Sequence, residues 1–167
     1  MNIRLAAIVH EADSREAQAA LEAFIRLLQA KGLRVGGLIA AEYTKENGEK
    51  DKCIRAIESG RLYPIFQDLG NNSESCRLDP SKLVLAASEL LALQDNPPDL
   101  AVINRFGIME ADGGGFCQEF MDLAMAGIPV LTLLNGSKYL AAWRAFGGEN
   151  AQELTADLNQ LEAWFSE

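Results

Sequence analysis

Residues 104–116 read Asn104-Arg105-Phe106-Gly107-Ile108-Met109-Glu110-Ala111-Asp112-Gly113-Gly114-Gly115-Phe116 and concentrate more chemistry than any other stretch of this 167-residue chain. Three consecutive glycines cost about 2–3 kcal/mol of backbone entropy relative to alanines. An anion approaching backbone N–H groups at a helix start is a use that repays that cost, with Arg105 as its counter-charge. A tight turn is the plainer use. Glu110 and Asp112 add two carboxylates that could hold magnesium. A second candidate is the loop Val9-His10-Glu11-Ala12-Asp13-Ser14-Arg15-Glu16. There Ser14 and Arg15 stand at the start of an amphipathic stretch, where N–H groups and one guanidinium could hold a small anion. His10, the only histidine, is a candidate base or ligand at the same turn. Lys138, in Asn135-Gly136-Ser137-Lys138, supplies a further cation. Cys76-Arg77-Leu78-Asp79 forms a secondary candidate, because a thiol beside a guanidinium near a helix start has a lowered pKa. In each case a local capping or packing role is the alternative.

The elements that must position these groups follow from hydropathy. Residues 3–9 are a short apolar run, as a strand buried on both faces would be. Ala17, Ala20, Leu21, Phe24, Leu27 and Leu28 then recur at helical spacing, Gly32 stops the helix, and residues 33–40 read as a second strand. This is a βαβ unit with a parallel pair. Residues 42–52 are polar. Ser59-Gly60 between two short β-like runs predicts an inserted hairpin over about 52–67, followed by a turn-rich loop over 67–77. Asp79-Pro80 opens a helix to about residue 93. Residues 100–103 and 129–134 read as strands, and 113–126, 137–146 and 151–165 as helices. The order predicts one doubly wound α/β domain spanning 1–167, a three-layer arrangement around a mainly parallel sheet. In such sheets ligands collect at the carboxyl ends of the strands, which brings residues 10–15, 42–52, 104–115 and 135–138 to one edge.

Compared with the phosphate-binding pattern Gly-x-x-x-x-Gly-Lys-Ser/Thr, the first loop lacks both glycines, carries Arg15 at the lysine position and has Glu16 where a hydroxyl would ligate magnesium. Asn104 ends the strand whose tip would carry the magnesium-linked aspartate, and a neutral amide holds a hard divalent cation poorly. Both losses together argue against triphosphate hydrolysis.

Composition narrows the classes further. The chain has 24 acidic and 15 basic side chains, a net charge of −9 and 49% apolar residues. Excess negative charge without a basic run opposes nucleic acid and anionic membrane surfaces. No apolar run approaches the ~20 residues of a membrane-spanning helix. The chain turns polar by His10-Glu11, too early for the apolar run and cleavage site expected of a secretory leader, so the cytoplasm is the expected compartment. Cys53, Cys76 and Cys117 form no Cys-x-x-Cys pair, which suits reduced thiols and gives no zinc spacing.

The pattern Asn104-Arg105-Phe106-Gly107-x-x-Glu110-Ala111-x-Gly113-x-Gly115-Phe116, then Ala126-Gly127-Ile128-Pro129-Val130-Leu131 and Ala142-Trp143-Arg144-Ala145-Phe146, resembles a bacterial family known as domain of unknown function 2478. Gln67-Asp68-Leu69-Gly70 and Cys76-Arg77-Leu78-Asp79 match its other signatures. The resemblance covers nearly the whole chain. It implies a P-loop NTPase-like fold with an eroded phosphate loop, and a link to molybdate or tungstate through the molybdenum ABC-transporter ATPases beside which the family is catalogued. The family more often has Lys where Arg105 stands, which keeps the charge, and a basic residue where Cys117 stands, which does not.

Three readings of function result. The first is a non-hydrolytic protein that binds a small anion, an oxyanion such as molybdate or a nucleotide-like metabolite, with His10, Ser14, Arg15, Asn104, Arg105, Glu110, Gly113, Gly114, Gly115 and Lys138 around it. The second is a magnesium-dependent nucleoside triphosphatase using Glu110 or Asp112. The third is an interaction module that regulates a transporter or self-associates through the apolar residues of 106–120.

Overall fold

The computed structural model describes residues 2–64, 66–67, 77–78 and 80–167. The first apolar run forms β1 (Leu5–His10), the amphipathic stretch α1 (Arg15–Ala30), and the next run β2 (Val35–Thr44). The chain continues through β3 (Lys50–Ala56), β4 (Leu62–Tyr63), β5 (Phe66–Gln67), β6 (Arg77–Leu78) and α2 (Pro80–Asp95). The second half adds β7 (Leu100–Phe106), α3 (Ile108–Ala111), α4 (Cys117–Met125), β8 (Val130–Asn135), α5 (Gly136–Gly147), β9 (Ala151–Leu154) and α6 (Leu158–Phe165).

Seven strands form one sheet in the order β4-β3-β2-β7-β8-β1-β9. The pairs β2–β7, β7–β8, β8–β1 and β1–β9 are parallel, whereas β2–β3 and β3–β4 are antiparallel. Strand alternation divides the core in two. Leu5 and Ala7 of β1 join the layer that packs against α2, α4 and α5. Ala6 and Ile8 face the other way, among Ala17, Leu21, Phe24 and Leu28 of α1 and Leu161 and Trp164 of α6. All four β1 residues are fully buried, the condition that favours an uninterrupted apolar strand.

Three features depart from the sequence pattern. The polar stretch after residue 41 is paired, because β2 runs on to Thr44 against Lys50 in a hairpin whose outer residues face solvent. The hairpin predicted over about 52–67 lies within this addition, with Ile54 opposite Tyr63. The helix expected over 113–126 begins only at Cys117, since Gly113 (φ +89°) and Gly115 (φ +58°) take left-handed conformations that a helix interior does not admit. The last helix is shorter too. Residues 151–154 extend the sheet as β9, pairing Ala151 with Leu5. The loop expected over 67–77 lies mainly outside the described residues.

Candidate functional site

A cavity of about 1120 Å³ opens at the carboxyl ends of the parallel strands. All four segments expected there contribute. Ser14 and Arg15 enter from the start of α1, Glu42 and Lys52 from the β2–β3 hairpin, Asn104 to Glu110 from the end of β7, and Asn135 and Lys138 from the start of α5. Gln18, Ala19 and Glu22 of α1 extend one wall, while Ala40, Ala41, Ile54, Leu83, Met109 and Tyr139 make much of the lining apolar. Behind it, Phe106 packs edge-on against Phe120 and Trp143 and beside Phe146, a rigid floor under the β7 tip. Phe106, Phe116 and Phe120 are buried, so these residues of 106–120 serve the core and not an external contact.

The two helix starts expected to receive an anion already hold one. At α1, the Arg15 N–H donates to Asp13 Oδ1 at 2.9 Å, and the Arg15 guanidinium grips the same carboxylate from Nε and Nη2. These bonds hold the Asp13 carboxyl down to about 2. Ser14 occupies the N-cap position without a side-chain capping bond. At the glycine turn, the Glu110 carboxylate accepts from Gly107 N–H at 2.8 Å on Oε1 and from Phe116 N–H at 2.9 Å on Oε2. Gly115 bends the chain around it, since a Cβ there would stand 1.8 Å from Glu110 Oε2. Gly115 therefore closes on a side chain of its own protein, and none of Gly113, Gly114 and Gly115 lines the cavity.

Burial raises the Glu110 carboxyl above its ordinary value of 4.5, and the two N–H bonds pull it partly back. Cys117, whose Sγ–H donates to Glu110 O at 3.2 Å, is pushed up to about 11 by burial and by Glu110 and Glu119, so it remains a thiol. His10 stands outside the cavity lining. Its Nδ1 meets Glu11 O at 2.6 Å, while Nε2 is buried without a partner among the described residues. Glu11 in turn accepts a hydrogen bond from Ser137 Oγ, which ties the β1 and β8 loops together. Cys76 and Asp79 lie outside the described residues; of Arg77 only the backbone is placed, in β6 opposite Gln67.

The cavity lining carries four basic groups, Arg15, Lys52, Arg105 and Lys138, against the acids Glu22, Glu42 and Glu110. Arg15 is committed to Asp13, and no ion pair among the described residues engages Arg105 or Lys138. Asn104 is only 4% exposed, and both polar atoms of its carboxamide are buried without a hydrogen-bond partner among the described residues. Sequence reasoning missed Gln18, whose Nε2 is likewise buried and unpartnered in the cavity wall. Its place one turn after Arg15 on the same helix was the available signal.

The bonds around Glu110 make a pH-dependent prediction. Glu110→Gln puts an NH₂ against one of two backbone donors and should destabilise the protein by about 1–3 kcal/mol at pH 5. Because the folded carboxyl titrates higher than the unfolded one, the wild-type protein gains most from this group below about 4.5. That contribution declines as pH rises through the window above 4.5. The stability gap between wild type and variant should therefore narrow from pH 5 to pH 8 in urea denaturation, and a widening gap would contradict the assigned direction.

The sheet order, the helices on both faces and a ligand-sized cavity at the strand ends define a three-layer α/β protein with a mainly parallel sheet. The fold matches the solution structure of a human cancer-related nucleoside triphosphatase with a TM-score of 0.66, covering 91% of this chain and 88% of that one at 15% identity. The chain belongs to the family described as Protein of unknown function (DUF2478), whose model matches residues 5–164. It is also 32% identical over 164 residues to the molybdenum import ATP-binding protein ModC 2 of Bradyrhizobium diazoefficiens. That match takes in 97% of this chain but only 18% of the length of the relative. Among the described residues no helix is long and apolar enough to cross a membrane.

Proposed function

We propose that this protein binds a small anionic molecule in the strand-end cavity without hydrolysing nucleoside triphosphates, and that it serves molybdenum transport or metabolism from the cytoplasm. The observation that carries the reading is the pair Arg105 and Lys138, two cations of one cavity with no ion pair among the described residues, in a chain of net charge −9. Isolated positive charge in an acidic protein favours a negative guest. Molybdate or tungstate enters as cargo through the relative, whose name is that of a molybdenum importer. A component of such a transporter is the partner that this relation suggests.

The residues present fit a magnesium ion poorly. Asn104 is neutral, Glu110 is buried and occupied by two N–H groups, and Asp112 does not line the cavity. Among the described residues no three His, Cys, Asp or Glu side chains gather at metal-binding distance. The competing reading, a triphosphatase, draws on the likeness of fold to a protein that bears that name. It requires magnesium-dependent phosphate release from ATP or GTP that disappears in Glu110→Gln and Arg105→Ala.

Isothermal titration with molybdate, tungstate, sulfate and phosphate tests the proposal. At least one should give saturable heat, and the double change Arg105→Ala with Lys138→Ala should weaken it about tenfold or more. No heat from any of the four at millimolar concentration, or turnover of ATP that requires magnesium and Arg105, would remove the reading.

A further inference from the structure

Asn104 holds the most specific chemical information in the cavity. An amide buried to this degree almost always has its donor and acceptor satisfied, and here both Nδ2 and Oδ1 are buried with no partner among the described residues. A tetrahedral oxyanion offers acceptors only. It would meet Nδ2 and leave Oδ1 unmet. A molecule that satisfies both atoms must present a donor and an acceptor side by side, as the edge of a nucleobase does, and asparagine pairs in this bidentate way with the amino group and ring nitrogen of adenine. Gln18 Nε2 offers one more donor across the same space. The volume agrees, because 1120 Å³ far exceeds an inorganic oxyanion and lies near the upper range of small-molecule sites. Tyr139 and Met109 in the lining supply surfaces suited to a flat ring.

Charge sets the length of the tail. Arg105 and Lys138 provide two positive charges, which match the nearly doubly negative phosphate of a monoester, whereas a triphosphate would bring further negative charge into a cavity also lined by Glu22, Glu42 and Glu110. We propose that the ligand is a nucleobase-bearing monophosphate, its heterocycle edge paired with Asn104 and its phosphate held by Arg105 and Lys138. This rests on the anion-binding reading of the same cavity and adds the identity of the ligand class.

The test titrates adenosine 5′-monophosphate, guanosine 5′-monophosphate and ribose 5-phosphate into wild type, Asn104→Leu and Asn104→Asp, with circular dichroism and thermal melting on each variant. At least one nucleotide should bind ten times more tightly than ribose 5-phosphate. Asn104→Leu should lose about 10- to 100-fold in nucleotide affinity while ribose 5-phosphate changes less than twofold. Its melting temperature should not fall, since the side chain it replaces makes no hydrogen bond among the described residues; if it nevertheless fails to fold, Asn104→Asp, which exchanges a donor for an acceptor at constant shape, should show the same loss. Equal affinity for all three ligands would overturn the heterocycle and leave anion binding standing. Nucleotide binding that survives both changes would overturn the role of Asn104, and no binding of any of the three ligands would overturn the nucleotide proposal while the titration with the four oxyanions decides the broader reading.

Discussion

Gly115→Ala should lower stability by about 3 kcal/mol or more, although it adds a single methyl group at a turn. Two effects combine. A residue with a Cβ at φ +58° costs about 1–2 kcal/mol in the left-handed region. The new Cβ would also stand 1.8 Å from Glu110 Oε2 and 2.7 Å from Glu110 Cδ, so the carboxylate must leave. Its departure strands the N–H groups of Gly107 and Phe116, at about 1–3 kcal/mol for each buried donor left unmet. The neighbouring glycines separate these contributions. Gly113 has φ +89° with open space where a Cβ would go, so Gly113→Ala should show the conformational cost alone, about 1–2 kcal/mol. Gly114 has no positive φ and meets only Met109 O at 3.5 Å, so Gly114→Ala should fall within about 0.5 kcal/mol of wild type. Urea denaturation midpoints read the series. Equal losses at all three positions would mean that the run is a plain flexible turn and that the wrapped carboxylate is incidental.

The same turn shows where sequence reading stops. The type and placement of residues 104–116 pointed to a backbone that closes on an anion, and the physics of that inference holds. What spacing could not reveal is which anion. Glu110 lies six residues before the Phe116 N–H it accepts from, and only the two left-handed glycines between them bring those groups together. A glutamate three positions after Gly107 was the one local signal, because a helix start often closes on an acid at that spacing. The α1 start repeats the lesson, with Asp13 taking the N–H that was expected to stay open. The elements follow a parallel rule. β1, β7 and β8 were legible because both faces are buried along most of their length and their residues are mainly apolar. β9 was not, since Ala151-Gln152-Glu153-Leu154 sits at the sheet edge with only Leu154 buried, and its short polar sequence looks like the start of the helix that follows. Convergence of the four loops needed only the topology, whereas the unpartnered state of Asn104 needed coordinates.

Gly37→Ala should be more damaging than any of these glycine changes, about 4 kcal/mol or more, and should leave little folded protein at 37 °C. Gly37 pairs with Val102 across the parallel β2–β7 ladder and has φ +114°. A Cβ there would lie 2.0 Å from Val102 O and 2.8 Å from Val102 N, and neither atom belongs to a side chain that can turn aside. Relief requires the two central strands to separate, which breaks ladder hydrogen bonds between fully buried Leu38 and Ile103 and their neighbours. Gly36 provides the contrast one residue away. The atom nearest to its would-be Cβ is Leu93 Cδ2 at 2.6 Å, the far end of a flexible side chain, so Gly36→Ala should cost only about 1–3 kcal/mol as the core repacks. The consequence reaches the cavity, because Asn104 and Arg105 follow Val102 on the same strand and take their positions from it. Any folded fraction of Gly37→Ala should therefore bind anions more weakly than its residual stability alone would suggest. Gly36→Ala should bind as wild type does. Equal midpoints for the two variants in urea would show that the β2–β7 contact yields more readily than a buried backbone ladder should.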